Sequence, residues 1–200
     1  MKRRALLATT GPAVLGSIAG CADFVSSVEP SAASGDTDDR DAVDDSDLEF
    51  EIPESPDDVP INDFGNQEIS DFSGAETREE IEIGSGDGVD EKYGPHTVLV
   101  SNFGSDPELE IGVIDVLSKT VVHGNRHRIP DDERLAIELL TPSKYVVNVR
   151  SPESELEHAV RVPCWAFDCN LSSTSIGVFD DDEIASYLMT NLAGCGNYSC

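Results

Sequence analysis

Basic residues are scarce in this chain. Its 200 residues hold 13 lysines and arginines against 40 acids, for a formal net charge of −27, and only four of the 13 are lysine. Such an excess repels phosphates, so charge-driven binding to nucleic acid or to anionic lipid headgroups is excluded. The chain also lacks an apolar run of spanning length. Its longest, Ala5–Ala19, has fifteen residues and is broken by Thr9, Thr10, Gly11, Pro12, Gly16 and Ser17, whereas a membrane span needs ~20. Aromatic residues make up 6%, with a single tryptophan. No GxSxG, HExxH or phosphate-loop motif occurs, and nothing positions the four histidines beside a nucleophile. The expectation is a protein without catalytic residues, metal or cofactor.

What is present starts at the N-terminus. Lys2, Arg3 and Arg4 precede the short apolar run, and small residues close it, the parts of an export signal over residues 1–20. Arg3-Arg4 followed by Ala5-Leu6-Leu7 resembles a twin-arginine signal, although Sec signals share the arginines. Ile18-Ala19-Gly20-Cys21 resembles a lipobox, whose cysteine receives a glyceryl lipid on sulfur. Two hydrocarbon chains, at ~0.8 kcal/mol per buried methylene, hold a protein on a membrane. Cys21 is therefore expected to be lipidated, placing the protein on the outer face of the cytoplasmic membrane.

Residues 21–90 are expected to form an acidic, mostly disordered tether. Residues 22–90 carry 23 acids and two bases, too much charge for the few apolar side chains to offset the entropy of ordering. The carboxylate-rich stretch from Asp36 to Asp47 lacks the turn glycine and terminal glutamate of a calcium loop. LEFEIPE and EEIEIG alternate like strands, with Leu48, Phe50 and Ile52 in one and Ile81 and Ile83 in the other, and either could add an edge strand to the head domain; alternation alone leaves the choice open. Residues 91–200 carry 17 acids and eight bases. Acidity along both segments suits concentrated salt, where at ~1 M the Debye length is about 3 Å.

From His96 onward, seven β-rich runs follow one another: HTVLVSN, ELEIGVIDV, KTVVHG, RLAIELL, KYVVNVR, HAVRVP and STSIGVF. No amphipathic helix separates them, so the expected fold is all-β, an antiparallel immunoglobulin-like or fibronectin III-like sandwich of about seven strands spanning residues 91–200. Gly124-Asn125 reads as a turn flanked by His123, Arg126, His127 and Arg128; across a hairpin the two imidazoles could face each other and hold a metal, but the reading kept is a polar turn, the one local basic cluster. Tyr145 reads as a core side chain with its hydroxyl on a rim carbonyl.

The order HTVLVSN…ELEIGVIDV…RIPDDERLAIELLTPSKYVVNVR resembles the immunoglobulin-like domain of small lipoproteins from halophilic archaea. The turn Pro130, Asp131, Asp132 and Glu133 and the strand Pro142, Tyr145, Val147 and Val149 carry the likeness, together with the lipobox. The resemblance implies fold and location, and brings no catalytic residue with it.

Four cysteines remain, in two blocks with four residues between the members of each: Cys164 and Cys169, then Cys195 and Cys200. Outside the cytoplasm they are expected as two disulfides. Links between the blocks are favoured because they would pin the chain's end. The alternative joins Cys164 to Cys169 and Cys195 to Cys200. A four-thiolate metal or redox site would make this a metal-binding or redox accessory lipoprotein, but zinc ribbons prefer two residues between paired ligands. Asn170 and Asn197 head N-glycosylation sequons. The function expected is a lipid-anchored, non-enzymatic surface module whose partner is a surface protein or glycan.

Overall fold

The computed structural model describes residues 48–180, 183–190 and 200. The signal, Cys21, the first part of the tether, Cys195 and Asn197 lie outside the described residues. The protein is an all-β sandwich, with nine strands among the described residues: β1 (Glu76–Ile83), β2 (His96–Phe103), β3 (Glu108–Asp115), β4 (Thr120–Arg128), β5 (Glu133–Leu139), β6 (Tyr145–Ser151), β7 (Leu156–Val162), β8 (Ser172–Phe179) and β9 (Glu183–Thr190). One sheet runs β1-β5-β2-β8-β9 and the other β4-β3-β6-β7. No helix among the described residues is long and apolar enough to cross a membrane.

All seven expected runs are strands, and their alternation sets the core. Val98, Val100, Leu109, Ile111, Val113, Leu135, Ile137, Leu139, Val147, Val149, Val160, Val162 and Ile176 are buried between the sheets. Within a strand these side chains recur at every second residue, as a half-buried strand requires. Two further strands complete the larger sheet. β1 is the EEIEIG segment; β9 was hidden by its mixed composition. The pairing is not purely antiparallel. β1 runs parallel to β5, and β2 parallel to β8, while the four-stranded sheet is antiparallel throughout.

Three expectations are corrected. The first concerns the tether, whose described part is folded well before residue 91: Phe50, Phe72 and Ala75 are buried and β1 belongs to the larger sheet. From Leu48 the chain wraps the sandwich as a belt. Phe50 lies on the outer face of the four-stranded sheet with Ile114, Val116 and Val146. The Arg161 N–H then donates to the Pro60 carbonyl at β7, and Asp63 bridges to Ser186 of β9. Phe72 packs edge-on against Phe179 and Tyr187 outside the larger sheet.

Second, LEFEIPE forms no strand. Phe50 fits a notch instead, made by Gly112 and Gly124, which face each other across β3 and β4. A Cβ on Gly112 would lie 2.5 Å from the Phe50 ring. The Arg150 guanidinium covers the ring at 4.7 Å, a cation–π contact.

Third, Gly124-Asn125 is not a turn but the middle of β4. The β3–β4 turn comes earlier, where the Asp115 carboxylate accepts the N–H groups of Leu117 and Ser118, an Asx turn. Lys119 takes the left-handed conformation there, at φ 55°.

Candidate functional site

The end of the sandwich where β6 starts and β7 finishes carries a cleft of about 430 Å³. Its floor follows from local sequence. Pro163 ends β7 because it has no N–H for the ladder, and a single 3₁₀ turn follows, Cys164–Ala166. Cys164, Ala166 and Phe167 are buried, so the turn is anchored by its neighbours and Trp165 is left outward, 40% exposed. Cys164 is joined to Cys200 with the Cα atoms 5.8 Å apart, an ordinary disulfide separation. This is one of the links between blocks. Cys169 is disulfide-bonded too.

Two cations face the cleft. Lys144, exposed just before β6, makes no ion pair among the described residues. Arg161, near the end of β7, pairs through a terminal nitrogen with Asp57 of the belt. Its Nε is buried and has no hydrogen-bond partner among the described residues, an arrangement that costs free energy until an acceptor arrives. Ile61 and Pro163 supply apolar walls. An exposed indole, two cations and an unfilled donor together suit a ligand with a flat apolar face and an anionic group.

The structure brings one serine–histidine pair together, and it is sealed in the core. His96 is fully buried, with Nδ1 2.7 Å from the Ser172 hydroxyl and Nε2 2.9 Å from that of Thr174. The Ser172 hydroxyl donates to the Ala166 carbonyl, so it accepts from His96 Nδ1–H, and Thr174 donates to Nε2. Every proton is assigned and none is available to a substrate. Burial lowers the His96 pKa to about 4, which holds the ring neutral. The set is core structure rather than a catalytic dyad.

The other residues singled out from sequence are dispersed. Tyr145 is buried and its hydroxyl donates to the Thr141 carbonyl at 2.8 Å. Burial, then the charge of Asp115, raise its pKa to about 12. Asn170 is half-buried beside the exposed Leu171, but Ser172, the third residue of its sequon, is buried. Arg126 turns to Glu110 of its own domain at 2.5 Å. Trp165, Arg161 and Lys144 carried no motif; the signal was the lone tryptophan beside a cysteine and shortly after a proline. No protein-family model matches the chain, and no curated protein matches it at a significant level.

Proposed function

We propose that the protein is a lipid-anchored module of the cell surface that binds, without chemistry of its own, a saccharide carrying carboxylate or sulfate groups. The anchor is Cys21, argued from its lipobox and the basic residues ahead of the apolar run. The single supporting observation for binding is Trp165, held outward over a cleft that also presents Lys144 and Arg161. An indole face stacks on the apolar face of a sugar ring, and a guanidinium and an ammonium take its anionic groups. Overall charge opposes any anion at long range. In the concentrated salt that this composition suits, that repulsion is screened beyond about 3 Å and contacts in the cleft decide. A short saccharide with isolated charges suffers less repulsion than a nucleic acid.

A cysteine-based metal or redox role gains no support, because Cys164, Cys169 and Cys200 are disulfide-bonded and present no thiolate. Titrating the full chain with uronate oligosaccharides, while following tryptophan fluorescence, tests the reading directly: Trp165 is the only indole. Saturable quenching that Lys144→Glu weakens at least ~tenfold is expected, the loss of one charged contact. Unchanged fluorescence in both low and high salt would remove the proposal. Replacing Cys21 by alanine should move the protein from membrane pellets to the soluble fraction.

A further inference from the structure

The open side of the sandwich opposite β7 and β9 is bounded by the two outermost strands, β1 and β4. There the inner face of β4 changes character. His127 pairs with Leu109 and His123 with Val113, both core residues of β3, so the two imidazoles project into the gap between the sheets rather than outward. Their Nε2 atoms are 2.9 Å apart and the rings lie side by side, 28° from parallel. Across the gap, the carboxylate of Glu79 on β1 stands 3.5 Å from Nδ1 of His127. His127 is nearly buried and Glu79 about half exposed, so the site has a rigid wall and an opening to solvent.

We infer that His123 and His127 form a two-nitrogen site for a divalent transition-metal ion, with Glu79 as the carboxylate that orients His127. The carboxylate favours a hydrogen on His127 Nδ1, which leaves its Nε2 as a lone-pair donor, the arrangement of a metal-bound histidine and its supporting acid. Bonds of about 2.0–2.1 Å to nitrogens 2.9 Å apart subtend roughly 90°, and tetrahedral zinc would hold them at about 3.4 Å. The near-right angle is a cis pair of a tetragonal ion, which with imidazole ligands favours Cu(II), then Ni(II). Among the described residues no group of three metal-ligating side chains stands in coordinating positions, so the two imidazoles are the ligands that the described residues supply. The site is independent of the cleft and of the anchor.

The test is titration of the full chain with Cu(II) in high salt, which suppresses loose binding to surface acids. Electron paramagnetic resonance and calorimetry are the readouts. One ion per chain with a two-nitrogen tetragonal spectrum is expected. His123→Gln, at the more exposed of the two rings, should cut affinity at least ~100-fold, and His127→Gln likewise, because each removes one of the two imidazole ligands. Glu79→Gln should weaken binding about tenfold. Metal-free thermal melts of each variant distinguish loss of ligand from loss of fold. A spectrum without nitrogen coupling, or a His123→Gln/His127→Gln double variant that binds copper as the parent does, would overturn the assignment.

Discussion

Asn102 ties three loop groups together from within the core. Its amide donates to the Asp106 and Ile129 carbonyls, at 2.8 and 2.7 Å, and its oxygen accepts the Gly104 N–H. Three loop groups at the far end of the sandwich depend on it, so Asn102→Ala leaves them unpaired at a cost of about 3 kcal/mol, read as a lower denaturation midpoint. Tyr145→Phe removes one bond and keeps the ring, and should cost only about 1 kcal/mol. His96 sets an acid limit. Its folded-state pKa, about 4, lies below the ordinary 6.5 because the ring is buried. The unfolded chain therefore takes up the proton first. Stability from this group is complete above pH 6.5 and falls as pH drops towards 4, by about 3 kcal/mol. His158, also lowered by burial with Asp63 opposing, acts in the same direction. Urea midpoints should fall as pH drops from about 6.5 to about 4.5, and less steeply in His96→Gln; equal slopes would refute the role given to this ring.

At the scale of elements, the belt is the feature that composition conceals. Phe50 is the buried anchor that holds Leu48–Val59 to the four-stranded sheet, through the Gly112–Gly124 notch. Gly112→Val fills the notch from below, so it should displace Phe50 and expose the belt while the strands persist. Limited proteolysis should cut within residues 48–59 while hydrogen exchange stays slow in β3 and β6; a belt that stays uncut would refute the notch. This explains which parts of the fold were legible. Strands buried on one face, such as β5 with Leu135, Ile137 and Leu139, announce themselves by alternation. The belt does not, because its anchors are spread over an acidic segment and gain their partners only from distant strands. Gly124-Asn125 misled for a physical reason: those residue types favour tight turns, but here Gly124 is small to admit Phe50. The real turn, around Leu117-Ser118-Lys119, has no glycine and is set by the Asp115 carboxylate. Of the cleft, the cysteines were legible and the link between blocks was expected. Trp165, Lys144 and Arg161 come together only through strand register.

Over the whole molecule, charge and covalent closure act on different ends. The Cys164–Cys200 link spans 36 residues, and closing a loop of that size stabilises by about 4 kcal/mol in the chain-entropy model. It secures the end bearing the cleft. β1, at the opposite edge of the larger sheet, has no such fastening and carries Glu76, Glu79, Glu80 and Glu82. Its parallel register sets Glu76 beside Glu133 and Glu82 beside Glu138. These charges discourage another chain from adding to the exposed edge, and like charges placed opposite also weaken the pairing that holds β1. Arg78 offsets part of this by pairing with Glu133 at 2.9 Å. At ~0.1 M salt the Debye length is about 10 Å and the glutamates repel; at ~1 M it is about 3 Å and they do not. The melting temperature of the full chain should therefore rise with added NaCl. Glu82→Gln combined with Glu138→Gln should raise the low-salt value and flatten the rise, with exchange at β1 slowing in parallel. A melting temperature indifferent to salt in the parent protein would mean that packing of Ile81 and Ile83, and not charge, governs this edge.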